Sequence, residues 1–285
     1  MKHLLSKELV ASINLETRKL VAEAVDAGVD PQLGVIMVGA HPASVRYVGI
    51  KSRQAKENGI ILSLYQMDDD VSFEQIEEAV RFLDADTDVH GLIIQLPLPE
   101  RFTAQQTDHL IGLISPAKDV DGLRGDWKTL AYTKYGLESL LAPAPLALPP
   151  MVESVTSLLD YYEIDLAGKR IVLVGEGRLV GSPLRSYLEA LGMDVVTVDE
   201  ETEKIFDVTR TADILIAGTG QDELITYEWI KEGAVVIDCA ADIHTDSVEQ
   251  VASAVAPSRG GVGPLTVAWL LHNSAQAALR EVTHE

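Results

Sequence analysis

The sequence is poor in cysteine and in positive charge, and each shortage excludes a class of protein. Its one cysteine, Cys239, rules out a disulfide within the chain. The thiol lies in the apolar run AVVIDCA, which predicts that it is buried and unreactive. The 23 Lys and Arg residues face 44 Asp and Glu residues, a net charge of −21 that argues against nucleic acid as the partner.

Long apolar runs are missing as well. No run approaches the ~20 residues that a membrane-spanning helix needs, so no membrane association is expected. The N-terminal segment has charges scattered at helical spacing instead of the apolar block of a signal peptide, which predicts a cytoplasmic protein. The seven histidines are dispersed without metal-ligand spacing, and the sequence therefore predicts no metal site.

The length of 285 residues suggests about two domains, and the 47% of hydrophobic residues allows a substantial core. The first part alternates helical and extended patterns, which predicts a parallel sheet covered on both faces. Its predicted helices and strands are 5–27 (helix), 33–38 (strand), 44–58 (helix), 60–65 (strand), 73–84 (helix), 91–96 (strand) and 103–113 (helix).

Residues 115–150 are rich in proline and glycine and are interpreted as an irregular segment that joins two domains. A second series of alternating elements follows this segment. Its predicted helices are 151–164, 179–192 and a last helix that begins at 264, and its predicted strands are 170–175, 194–199, 213–218 and 234–239.

A glycine-rich turn, GEGRLVG (175–181), follows the strand at 170–174 and opens a helix. Glycines allow a tight turn, and the N-terminus of a helix can receive a pyrophosphate. Asp199 ends the next strand, where an acid can accept hydrogen bonds from an adenosine ribose. The spacing is one residue longer than the usual dinucleotide fingerprint, so an ordinary tight turn is the alternative.

The helix at 44–58 is basic in an acidic protein. Tyr47 and Lys51 are four residues apart and therefore point from one face. The pattern fits either a solvated helix face or a lysine that faces an anionic substrate. The charged residues of the helix are Arg46, Lys51, Arg53, Lys56 and Glu57.

Three smaller motifs also draw attention. Gln95 lies at the end of a strand, where ligands of open α/β sheets gather, although a polar strand terminus is the plainer explanation. Asp119 and Asp121 lie in KDVDGL, in which Asp-Gly is first of all a turn signal. The glycines of GGVGP (260–264) permit close backbone approach to a ligand or to another segment.

In order and spacing, these motifs resemble the bifunctional methylenetetrahydrofolate dehydrogenase/methenyltetrahydrofolate cyclohydrolases. The resemblance covers nearly the whole chain. Its matching pieces are VGAHPASVRYVGIKSRQAKENGI (38–60), GLIIQLPLP (91–99), KDVDGL (118–123), VGEGRLVGSP (174–183), ADILIAGTG (212–220), GAVVID (233–238) and GGVGPLTVAWLLHNSAQAA (260–278).

The resemblance implies an α/β fold of two domains with the active-site cleft between them. A folate-binding domain would comprise 1–143 and 264–285, and a Rossmann dinucleotide-binding domain would comprise 144–263. It also implies a homodimer. The implied chemistry is oxidation of 5,10-methylenetetrahydrofolate by a nicotinamide dinucleotide, followed by hydrolysis to 10-formyltetrahydrofolate.

The site residues that the resemblance implies fall into three groups. The catalytic group is Tyr47, Lys51 and Gln95, and the folate-binding group is Tyr47, Asp121, Gly261, Gly263 and Pro264. The cofactor-binding group is Gly175, Glu176, Gly177, Arg178, Gly181 and Asp199. A neutral Lys51 would accept a proton from water, and burial and Arg53 are expected to lower its pKa.

The departures from the family concentrate on the dinucleotide side. The family often has GRS where this chain has Gly175-Glu176-Gly177, a CHS-like run at Asp199-Glu200-Glu201, and PCTPxG at 148–154. The added acidic residues predict NAD rather than NADP, with NADP still possible.

Two alternatives remain open at this point. The first is a cyclohydrolase, or a folate-binding regulatory protein, whose dinucleotide site has decayed. The second, more distant alternative is another two-domain dehydrogenase with a catalytic lysine, such as one acting on shikimate. The QLPLP and GGVGP elements speak against the second.

Overall fold

A computed structural model describes residues 1–125, 130–133, 136–139 and 147–283 of the chain. In chain order the helices and strands are β1 (Lys2–His3), α1 (Lys7–Asp26), β2 (Gln32–Val38), α2 (Pro42–Asn58), β3 (Ile61–Met67), α3 (Phe73–Ala85), β4 (Gly91–Ile94), α4 (Ala104–Gly112), β5 (Leu130–Thr133), β6 (Gly136–Ser139), α5 (Pro150–Tyr161), β7 (Arg170–Val174), α6 (Gly181–Ala190), β8 (Asp194–Val198), α7 (Ile205–Thr209), β9 (Ile214–Ala217), β10 (Val235–Asp238), α8 (Thr245–Val248), β11 (Ala254–Ala256) and α9 (Gly263–Thr283).

The chain divides into two compact units, named here by their main sheets. The three-stranded unit comprises Ser12–Thr129, Ser139–Leu148 and Val267–Glu285. The six-stranded unit comprises Met1–Ala11, Leu130–Glu138 and Pro149–Thr266. No helix in the described part of the chain combines the length and apolar content that crossing a bilayer requires.

The three-stranded unit is built on a parallel sheet with the strand order β3-β2-β4. Its central strand, β2, is buried from Leu33 to Val38 because helices cover both faces, as its continuous apolar run predicts. Helices α3 and α4 each begin at a capping box, formed by Ser72 with Gln75 and by Thr103 with Gln106.

The six-stranded unit has an all-parallel sheet with the order β1-β11-β10-β9-β7-β8. The chain goes from β7 to its neighbour β8 on one side and later returns to β9, the neighbour of β7 on the other side, so the strand order reverses between the adjacent strands β7 and β9. Ligands of such sheets bind outside the carboxyl ends of the strands at this point. The predicted α/β fold of two domains with parallel sheets is confirmed.

The N-terminal residues pack with the six-stranded unit, whereas the sequence analysis placed residues 1–143 in the folate-binding domain. Strand β1 pairs with β11. Residues Met1–Ala11 therefore belong to the six-stranded unit, whereas the chain from Ser12 onward belongs to the three-stranded unit. A two-residue strand shows no periodicity, so the sequence cannot reveal it. Near the predicted breaks at 143/144 and 263/264, the units divide at Leu148/Pro149 and Thr266/Val267. The domain boundaries themselves stay a prediction.

Several short elements were not predicted. The region interpreted as irregular, 115–150, contains the small sheet of β5 and β6, and its residues 126–129, 134–135 and 140–146 lie outside the described residues. Elements α7, α8 and β11 have five, four and three residues, too few for a hydrophobic period to appear.

Asn273 on α9 connects separate segments of the three-stranded unit. Its side chain is buried, and its amide nitrogen donates to the carbonyl oxygens of Val120 (3.2 Å) and Leu148 (3.1 Å). Helix α9 thereby fixes the loop that carries Asp121.

We expect Asn273→Ala to lower the free energy of unfolding by about 2–4 kcal/mol, because it leaves one buried and one partly buried carbonyl group without this donor. Urea denaturation would measure the loss. Asn273→Leu restores side-chain volume without the donor and should be destabilised as well. A stable leucine variant would show that packing, rather than hydrogen bonding, is the contribution of Asn273.

Candidate active site

The amine of Lys51 meets the end of strand β4. Lys51 lies on α2, and its Nζ donates to Oε1 of Gln95 over 2.9 Å. Gln95 is itself fixed, because its backbone N–H donates to the oxygen of Ile36 (2.8 Å) and its Nε2 donates to the oxygen of Leu96 (2.8 Å). The structure thus brings together two of the three predicted catalytic residues.

Lys51 and Asp121 are partly buried and act on each other electrostatically. Burial lowers the pKa of Lys51, and the charge of Asp121 opposes that effect by raising it. Burial raises the pKa of Asp121, and Lys51 opposes that effect in turn. Burial is the larger cause for both groups, so each is easier to neutralise than the same group in water.

The expected contribution of Arg53 to the pKa of Lys51 is wrong. The side chain of Arg53 is exposed, and it is not among the causes of the shift. Residues two apart on a helix point to nearly opposite sides, which separates the guanidinium from the amine.

The loop that carries Asp121 is anchored at its start. Nζ of Lys118 donates to the carbonyl oxygens of Asp84 (2.7 Å) and Asp86 (2.6 Å). A Cβ added at Gly91 would lie 2.9 Å from Cγ1 of Val120, so the loop packs directly on the first residue of β4. Asp121 therefore has little freedom to move away from Lys51.

Asp119 stabilises the same loop through hydrogen bonds to its backbone. Its carboxylate accepts the backbone N–H groups of Leu123 (3.2 Å) and Arg124 (3.0 Å), and the side chain is buried. Burial raises the pKa of Asp119 to about 6, against the lowering effect of these hydrogen bonds. The sequence identified Asp119 only as a turn residue, and the structure shows how it holds the turn.

Ser44 is a candidate site residue that the sequence analysis missed. It lies three residues before Tyr47 and seven before Lys51, so the three share one face of α2. Its side chain is buried, and within the described residues its Oγ has no hydrogen-bond partner. A buried hydroxyl normally has one, which suggests that a bound molecule supplies it. The spacing with Tyr47 and Lys51 is the signal that could have found Ser44.

Tyr47 is available to a ligand. Its side chain is 51% exposed. An exposed ring of this kind can stack on a flat heterocycle.

The glycine turn of the six-stranded unit has the geometry of a phosphate cradle. Gly175 has φ +91°, and a Cβ at Gly181 would lie 2.0 Å from the oxygen of Gly175. Only glycine fits at either position, and the turn leads directly into the N-terminus of α6. Gly177 is less constrained, because a Cβ there would meet only the oxygen of Gly218 at 4.0 Å. The turn fits a pyrophosphate at a helix N-terminus.

The acidic residues around this turn are exposed and have local partners. Oε1 of Glu176 pairs with Nη1 of Arg185 at 2.6 Å. Oδ1 of Asp199 accepts from Oγ1 of Thr202 (2.9 Å) and from the backbone N–H of Glu201 (3.1 Å).

The GGVGP turn belongs to the six-stranded unit up to Thr266. Gly260 has φ +86°, and a Cβ at Gly263 would lie 2.7 Å from the oxygen of Ser258. Both the backbone N–H and the hydroxyl of Ser6 donate to the oxygen of Gly260, at 2.8 and 3.1 Å. Pro264 then occupies the first turn of α9, where proline is well tolerated.

Comparison with known proteins decides the family. The model of the tetrahydrofolate dehydrogenase/cyclohydrolase catalytic domain matches residues 4–121, and the model of the NAD(P)-binding domain of the same family matches residues 149–282. The chain belongs to the tetrahydrofolate dehydrogenase/cyclohydrolase family. The predicted family is thereby confirmed.

Relatives and solved structures agree over the full length. The bifunctional protein FolD of Anoxybacillus flavithermus is 36% identical over 284 residues, covering 96% of this chain and 95% of that protein. The crystal structure of the bifunctional FolD of Campylobacter jejuni has a TM-score of 0.87 at 32% identity, covering 99% of each chain. The Trypanosoma brucei enzyme, crystallised with NADP and an inhibitor, has a TM-score of 0.85 at 26% identity, covering 99% of this chain and 98% of that one.

The chain is a methylenetetrahydrofolate dehydrogenase and methenyltetrahydrofolate cyclohydrolase with an NAD(P)-binding domain. The predicted bifunctional enzyme is confirmed, and the alternative with a decayed dinucleotide site is not favoured. Among the described residues, no group of three or more His, Cys, Asp or Glu side chains is placed to hold a metal ion.

The buried carboxyl of Asp119 predicts a dependence of stability on pH. Its pKa of about 6 in the folded protein exceeds the ~3.9 of an unfolded chain, so the folded state binds the proton more tightly. This contribution to stability is fully present below about pH 4 and is lost as the pH rises through about 6.

We therefore expect the free energy of unfolding of Asp119→Asn, relative to the unsubstituted protein, to rise by about 2–3 kcal/mol between pH 4 and pH 7. Denaturation curves at several pH values would measure it. Asp70→Asn, at an exposed aspartate of the same unit, is the control. If the difference in free energy of unfolding between Asp119→Asn and the unsubstituted protein does not change with pH, the raised pKa of Asp119 is contradicted.

Proposed function

We propose that Lys51, Gln95 and Asp121 carry the chemistry on folate, with Tyr47 beside them. The observation that supports this most directly is the 2.9 Å hydrogen bond from Nζ of Lys51 to Gln95, made by an amine whose pKa is lowered by burial. A lysine whose pKa is lowered gives up its proton more easily, and the neutral amine can act as a general base.

The oxidation breaks a C–H bond of the methylene bridge in 5,10-methylenetetrahydrofolate and leaves a methenyl cation. A bound oxidised nicotinamide dinucleotide supplies the hydride acceptor. Asp121 would hold the pteridine, because one carboxylate can accept two neighbouring N–H groups. The exposed ring of Tyr47 would pack on the substrate and fix its plane.

The hydrolysis adds water to the methenyl carbon. As the new C–O bond forms, the amine of Lys51 takes a proton from the water. The ring then opens to 10-formyltetrahydrofolate: the bond from this carbon to N5 breaks, the added hydroxyl loses its proton to become the formyl oxygen, and N5 takes up a proton. Gln95 positions that amine by accepting one of its N–H bonds, which leaves the lone pair of a neutral amine for the water. The glycines Gly261 and Gly263, with Pro264, are proposed to line the folate site through their backbone.

The dinucleotide is proposed to bind at the glycine turn, with its pyrophosphate at Gly175, Gly177 and Gly181 and its adenosine ribose at Asp199. The flanking residues Glu176 and Arg178 complete the proposed site. We propose that NAD is preferred to NADP, because Asp199, Glu200 and Glu201 are exposed acids that would face a 2′-phosphate.

A homodimer in the cytoplasm is also proposed. The homodimer has structural support in strand β3, an edge strand of the three-stranded unit whose outer side has no partner strand in the described residues. Ile61 and Leu64 on this strand are 47% and 42% exposed. An apolar edge strand of seven residues favours pairing with a second copy of the chain.

We expect Lys51→Met to reduce cyclohydrolase activity by at least ~10²-fold, because the variant keeps the side-chain length but cannot accept a proton. Hydrolysis of methenyltetrahydrofolate would be followed by absorbance. Lys56→Met, which removes an exposed lysine from the same helix, is the control. Near-normal hydrolysis by Lys51→Met would remove Lys51 from the mechanism.

For the cofactor we expect kcat/KM to be higher with NAD than with NADP by about tenfold at low salt. The 2′-phosphate of NADP would be repelled by the exposed acidic side chains, and the surrounding water keeps that repulsion small. Asp199→Asn should reduce the preference, and Asp207→Asn, at an exposed acid on α7, should not. A preference for NADP in the unsubstituted enzyme would refute the proposal.

A further inference from the structure

Two buried carboxyl groups, those of Asp238 and Asp242, lie at the end of strand β10 and just after it. In the strand order, β10 lies on the other side of β7 from β8, where the adenosine is proposed to bind. The inference that follows rests on the proposed position of the dinucleotide. With its adenosine end at β8 and its pyrophosphate at the turn after β7, the nicotinamide end extends past the carboxyl ends of β9 and β10. The segments after these two strands, 218–220 and 239–242, therefore border the nicotinamide end.

Asp242 links these two segments. The backbone N–H of Thr219 donates to Oδ2 of Asp242 (2.7 Å), and the hydroxyl of Thr219 donates to its Oδ1 (3.1 Å). The backbone N–H of Asp242 donates in turn to Oδ1 of Asp238 (3.0 Å). Thr219 also adjoins the glycine turn, because a Cβ at Gly175 would lie 3.0 Å from its Cγ2.

The negative charge of this network has no cation beside it in the described part of the chain. Asp242 is 0% exposed and Asp238 is 4% exposed. Across residues 1–125 and 147–283, neither carboxylate is within ion-pair distance of a lysine, arginine or histidine. Buried charges in proteins are normally paired, so a missing cation points to one that a ligand brings.

The two forms of the cofactor differ in the charge of one ring. The oxidised nicotinamide is a cation, and the reduced ring is neutral. We propose that Asp242 makes the dinucleotide site favour the oxidised cofactor over the reduced one. Asp242 would then be a specificity-determining residue that strengthens binding of the oxidant and weakens retention of the reduced product.

Asp242→Asn tests this by removing the charge while keeping the hydrogen bonds. An asparagine can accept the N–H of Thr219 through Oδ1 and donate from Nδ2 to the hydroxyl of Thr219. Calorimetry on the full-length protein would give Kd for NAD and for NADH. We expect the ratio Kd(NADH)/Kd(NAD) to fall by about 3- to 30-fold, as the loss of one unit charge in a partly desolvated site implies. Asp222→Asn, at an exposed aspartate in the adjoining loop, should leave the ratio unchanged.

A ratio that stays the same in a folded Asp242→Asn protein would overturn the inference while leaving the proposed dinucleotide site intact. If the variant does not fold, the same two dissociation constants measured on the unsubstituted protein test the inference. A site that favours the oxidised cofactor binds NAD at least as tightly as NADH. Tighter binding of NADH would refute the role of Asp242. Absence of binding by either form to the unsubstituted protein would refute both this inference and the proposed site.

Discussion

The rest of the proposed site depends on the partial burial of Lys51 next to Asp121. Each group loses water, and each is partly compensated by the opposite charge of the other. Such pairs are stable only when geometry and further hydrogen bonds are good, because desolvation offsets most of the attraction. Here burial is the larger effect for both groups, and for Lys51 it favours the neutral amine that the proposed base requires.

The fold maintains this arrangement through backbone contacts from several elements. Helix α2 presents Lys51, the end of β4 presents Gln95, and the loop of Lys118 to Arg124 presents Asp121. The loop is fixed at the buried carboxylate of Asp119 and by Asn273 on α9. The fold therefore holds the amine and the carboxyl group in place before any substrate binds, as preorganised catalysis requires.

The sequence predicted most of the long elements because their apolar periods are strong, as in β2 and α3. Its motifs also predicted Lys51, Gln95 and Asp121 as site residues. The motifs did not predict how the three side chains interact, because the three lie on separate elements. The error on Arg53 came from counting charges along the helix without assigning them to faces. No local pattern encodes the contacts that join distant segments of the chain. Examples are the β1–β11 pairing, the hydrogen bonds from Ser6 to Gly260 and those from Thr219 to Asp242.

The most direct test of the coupled pair is the pH profile of cyclohydrolase kcat/KM in the unsubstituted enzyme and in Asp121→Asn. The charge of Asp121 raises the pKa of Lys51, so its removal should move the rising limb of the profile to lower pH, whatever the loss in absolute rate. A limb that stays in place, or moves to higher pH, would contradict the assignment of Lys51 as the base controlled by burial and by Asp121.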